Sequence, residues 1–133
     1  MKNKKIIFWI STAVFSLSML VSANMYLTDP VVKAGFSSHL GIPDYLRIEL
    51  AVAKIVGSLA FLLPFVPKVL KNFTYAGFTI NLISAFVAHI ALGDGLADSV
   101  KPLIFFVILI ISYNYYNKIE EDKITTINKK NNV

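Results

Sequence analysis

The chain contains no cysteine, which excludes disulfides, thiol redox chemistry and cysteine-ligated metal clusters. It has two histidines, His39 and His89, too few for a zinc site of the usual composition. No flavin, haem or metal motif is evident. Charge is also scarce: charged residues make up 16% of the 133 positions, against 56% hydrophobic, and the mean hydropathy is +0.63. A soluble domain is rarely so apolar. The net charge of +5 raises nucleic acid as a partner, but the distribution of the charge argues against that.

What is present is a series of apolar, helix-length stretches. The first, 6–26, has no charged residue and is long enough to cross a hydrocarbon core of about 30 Å. Ser11, Ser18 and Ser22 share one face, and Ser18 with Ser22 forms a small-xxx-small pair that would seat a neighbouring helix. The same start, with Lys2, Lys4 and Lys5, an apolar run and Val21-Ser22-Ala23, also has the form of a secretory signal with a cleavage site. The apolar run continues past that site, which favours a retained span.

A connection over 27–45 follows, punctuated by Asp29-Pro30, Gly35 and Gly41-Ile42-Pro43-Asp44. Its apolar residues, among them Val31, Val32, Phe36 and Leu40, predict that it packs on the helices. His39 is expected to be a surface residue.

The second stretch, 46–66, is the one around which the rest is arranged, because it is apolar yet carries Arg47, Glu49 and Lys54. Arg47, Ala51, Lys54 and Ser58 are spaced four, three and four, and form one helical stripe. Glu49 heads another with Ala53, Gly57 and Ala60. Lys54 lies eight residues beyond Leu46, roughly 12 Å along a helix, where an unpaired ammonium costs about 2.5–3.5 kcal/mol. A partner within the bundle is therefore expected: Glu49 first, Asp94 second. The two glycines Gly57 and Gly77 are expected to sit at close helix contacts.

The third stretch, 73–93, steps Gly77, Asn81, Ala85 and His89 by four, and these are expected to face inward. Gly93-Asp94-Gly95 breaks it. Asp98 or Ser99 then caps a fourth helix, 100–117, with Pro102 in its first turn. The run 103–111 has no polar side chain, so this helix is expected to be the most lipid-exposed and to contribute least to a polar core. Tyr113, Tyr115 and Tyr116 suit a membrane interface, and 118–133 reads as a polar, flexible tail.

This arrangement sorts the cations. Lys2, Lys4, Lys5, Lys68, Lys71, Lys118, Lys123, Lys129 and Lys130 fall on one side, and Lys33, Arg47 and Lys101 on the other. Nine against three is a positive-inside signal for an all-α bundle of four transmembrane helices with both termini cytoplasmic. The basic balance marks orientation, and no nucleic acid partner is implied.

Several pieces, in order, carry a resemblance: Met25-Tyr-Leu-Thr-Asp-Pro30, Gly41-Ile-Pro-Asp-Tyr-Leu-Arg-Ile-Glu-Leu50, Ala53-Lys-Ile-Val-Gly57, Leu62-Leu-Pro64, Pro67, Lys71-Asn-Phe-Thr-Tyr-Ala-Gly-Phe78, Ala88-His89 and Gly93-Asp94. Over about 6–117 the chain resembles the DoxX-like family of small four-helix membrane proteins. The resemblance implies a membrane domain over 1–117 followed by the tail, in a multi-pass protein of the cell membrane. It implies little chemistry. Some relatives belong to quinone-linked oxidoreductase assemblies, and distant ones assist membrane-protein assembly.

In that topology Asn24, Tyr26, Arg47, Glu49, Lys54, His89 and Asp94 gather toward the outer side, and Asn81 lies deeper. They are expected to form either a network that fixes helix register or an outward-facing pocket for a small polar or quinone-like head group. A proton relay is disfavoured because the inner half lacks carriers. The expected role is a non-catalytic accessory or binding subunit, partnered by the bilayer and by another membrane protein or a second copy of itself. The alternative is a quinone-binding redox component, with quinone its one conceivable cofactor.

Overall fold

The computed structural model describes residues 2–133, which form five helices and no strand: α1 (Lys2–Thr28), α2 (Pro30–Ser38), α3 (Asp44–Leu62), α4 (Lys68–Ala91) and α5 (Leu96–Asn131). Their boundaries follow from local chemistry. Pro30 forces Asp29 into an extended conformation, which ends α1. The freed Asp29 carboxylate then caps α2, accepting from the Val31 and Val32 N–H groups at 2.9 and 3.4 Å. Pro64 and Pro67 delimit the α3–α4 turn in the same way, with Leu63 extended before Pro64.

Helix α1 lies between α3 and α5, α4 packs along α5, and α3 meets α4 along a lighter seam. Phe15, fully buried, lies where the four long helices converge. Its ring centroid is 6.1 Å from Phe61 on α3, 4.9 Å from Phe78 on α4 and 6.5 Å from Phe105 on α5. The connection after α1 packs as expected: Phe36 is buried and meets the Tyr26 ring edge-on at 4.6 Å.

Outside this core the surface is apolar. Ile10, Leu17, Val21, Val56, Ile80 and Val107 are each more than half exposed, large apolar side chains on the outer faces of all four long helices, as suits a lipid-facing surface. Helices α1, α4 and α5 are long and apolar enough to cross a membrane. Helix α3, at 19 residues, spans about 28 Å but carries four charged side chains.

Four expectations are corrected. The inward face of α4 is Lys71, Tyr75, Phe78 and Leu82, whereas Gly77 is exposed and Asn81, Ala85 and His89 are half-buried. Large rings fill the gap between helices better than small or amide side chains do, and they set the rotation of α4. Helix α5 begins at Leu96 with Gly95 at its cap position and no side-chain cap, so Pro102 sits in its second turn. Far from contributing least to the polar core, α5 supplies Ser112 to it, as described below. Beyond 117 the structure is helical to Asn131 rather than irregular. Extending an existing helix is cheap compared with starting one, and Ile119 is buried while Lys4 pairs with Asp122 at 3.1 Å.

Candidate functional site

The stripe on α3 is buried as its spacing predicts: Arg47, Ala51, Lys54 and Ser58 all face α1 or the core. Arg47 and Lys54 are only 5% and 6% exposed. Arg47 donates from Nε and Nη2 to Asp44 at 3.3 and 3.2 Å, and from Nη1 to the Tyr26 carbonyl. Lys54 donates to the Ser22 hydroxyl at 2.8 Å and lies 3.9 Å from the Tyr26 ring centroid. Tyr26 is therefore the hub. Its carbonyl takes the guanidinium, its ring faces the ammonium, and α2 closes over it through Phe36.

Lys54 is thus not paired with Glu49 or Asp94. Glu49 is five residues away, about 140° round the axis, and is exposed with no ion pair among the described residues. Asp94 is occupied elsewhere. A hydroxyl and a π face take the place of a carboxylate, and a desolvated cation–π contact is worth about 2 kcal/mol.

Asp94 belongs to a second cluster at the same end of the bundle. Gly93, at φ +72°, allows α4 to end in a Schellman turn: the Asp94 N–H bonds the His89 carbonyl at 3.0 Å and the Gly93 N–H bonds that of Ile90 at 3.2 Å. The turn folds Asp94 back over His89, whose Nδ1–H donates to it at 2.6 Å, and His39 Nε2–H donates to its other oxygen at 2.7 Å. The bonds from His89 and then His39 hold the Asp94 carboxyl below its ordinary value. His39 is at the surface as expected, its side chain half exposed, and it also ties α2 to the α4–α5 turn.

Of the remaining expected residues, Asn24 is exposed and Asn81 is half-buried; neither joins a cluster. A third polar group was not anticipated. Ser112 Oγ lies 2.7 Å from both Thr12 Oγ1 and the Tyr75 hydroxyl, joining α1, α4 and α5 in the core. One hollow of about 260 Å³ lies between α4 and α5 beside Tyr75, and another of about 390 Å³ lies at the opposite end from Asp94. None of the eight expected site residues lines either of them.

Buried cations on one span-length helix, lipid-like surfaces on its neighbours and polar clasps at one end define a membrane helix bundle. The sequence profile of the DoxX-like family matches residues 10–112, and the chain belongs to that family. No curated protein and no solved structure matches it.

Proposed function

We propose that the protein crosses the cell membrane four times, through α1, α3, α4 and α5, with both termini cytoplasmic, and acts as a non-catalytic accessory or binding subunit of a membrane complex. The nine-to-three distribution of cations supports the orientation. One observation carries the role. Glu49 is exposed on α3, flanked by Ile48, Val52 and Val56, which are 45%, 50% and 61% exposed. A carboxylate five residues into a lipid-facing helix, about 7 Å below its start, is costly without a donor. A neighbouring membrane helix, from a partner or a second copy, supplies that donor.

A photo-crosslinker at Val52 in native membranes should give a discrete protein adduct that Glu49→Gln weakens, while one at Ile80 on α4 should give lipid adducts. Lipid adducts alone at both positions would remove the basis for this role.

One feature favours quinone binding as a second reading. Asp94 takes the Nδ1–H of His89, which leaves Nε2 as an acceptor for the hydroxyl of a quinol. Solvent extraction of the purified protein should then release stoichiometric quinone, and His89→Gln should abolish it.

A further inference from the structure

The larger hollow lies at the lysine-rich end of the bundle, where the start of α1, the α3–α4 turn, the first turn of α4 and the 116–123 stretch of α5 meet. Lys5, Lys68, Lys71 and Lys123 line it, against a single carboxylate, Glu120, which is already engaged by Lys123 at 3.0 Å. Lys71 is the informative member. It is 5% exposed, yet its ammonium makes no ion pair or hydrogen bond among the described residues; the Tyr116 ring, 5.6 Å away, is at the limit of a cation–π contact. A buried ammonium that touches no carboxylate, beside a hollow whose four lysines outnumber its single carboxylate, has an unfilled role.

We infer that this hollow is a binding site for a phosphate-bearing anion, presented as the headgroup of an acidic phospholipid. Lysines bind phosphate as point charges, and basic pockets between membrane helices on the cytoplasmic side take anionic headgroups. The volume of about 390 Å³ falls in the range of ligand sites. Trp9, which also lines the hollow and is 40% exposed, stands where an interfacial aromatic would meet the glycerol region. The site lies at the far end from the Asp94 cluster; it rests on the orientation proposed above and not on the accessory role.

The test is lipid binding by the full chain in neutral detergent, read by native mass spectrometry. Phosphatidylglycerol should be retained in preference to phosphatidylcholine, and Lys71→Met should weaken it about five-fold. The tail pair Lys129→Gln/Lys130→Gln should change nothing. If Lys71→Met does not fold, the exposed pair Lys68→Gln/Lys123→Gln carries the same readout. Millimolar inorganic phosphate that displaces the lipid would assign the site to a free anion, and failure to displace it assigns the site to the headgroup. Equal retention of the two lipids, or equal losses in the pocket and tail variants, would overturn the inference.

Discussion

The sharpest steric consequence of the packing is the contrast between two glycines. A Cβ on Gly57 would stand 2.7 and 2.9 Å from two ring carbons of Phe78 and 3.3 Å from the Thr74 methyl, whereas one on Gly77 would meet nothing within 4 Å. Carbon atoms prefer about 3.5–4.0 Å. The Phe78 ring has little room to retreat: it is 5% exposed, edge-on to Phe15 at 4.9 Å and tilted on Phe61 at 5.4 Å. The α3–α4 seam must open instead, and overpacking of this kind costs about 1–3 kcal/mol. Replacing a mid-helix glycine with alanine returns roughly 0.5–1 kcal/mol at either site, so the difference between Gly57→Ala and Gly77→Ala isolates the steric term. Reversible unfolding in detergent or bicelles should place Gly57→Ala about 1–3 kcal/mol below Gly77→Ala. Equal stability, or the reverse order, would refute the reasoning and show that α3 and α4 are not in contact at this level.

Three other outcomes are expected. Ser112→Ala leaves the Thr12 and Tyr75 hydroxyls without their shared partner, so stability should fall by about 1–2 kcal/mol, with Ser18→Ala, whose hydroxyl bonds only its own helix, as the silent control. Because Lys54 leans on Ser22 and Tyr26, the effects of Lys54→Met and Glu49→Gln on stability should add; a double variant more stable than the sum would restore an ion pair between them. The pH dependence follows from Asp94, whose carboxyl is held below its ordinary 3.8: the clasp contributes above that value and is lost as pH falls through the lower folded-state value. Acid melting curves should show a component in that range that Asp94→Asn abolishes.

The parts of this molecule that were legible in its sequence are those in which spacing does the work. Arg47, Ala51, Lys54 and Ser58 share a buried face because four-three-four steps leave no other choice, and Gly93 before Asp94 marks the end of α4. Partners were harder to read. Charge suggests charge, so Lys54 pointed to Glu49, and nothing local says that a hydroxyl and a ring on α1 would serve instead. His39 meets an aspartate 55 positions away only because α2 folds over Tyr26. The rotation of α4 was misread because small and polar residues suggested an interior face, while Tyr75, Phe78 and Leu82 had the volume to claim it. Ser112 ends an apolar run and gives no sign that two other helices converge on it.

A four-span topology requires α3 to be a span despite its four charges. Because the chain has no cysteine, single substitutions report sidedness without background. Ser37→Cys lies exposed near the end of α2, the helix that precedes α3, and Phe65→Cys lies just after α3 in a turn where the residue is 77% exposed. In intact cells a membrane-impermeant thiol reagent should label the first directly and the second only after permeabilisation. Labelling of both from the same side would mean that α3 does not cross, and the four-span account would be wrong.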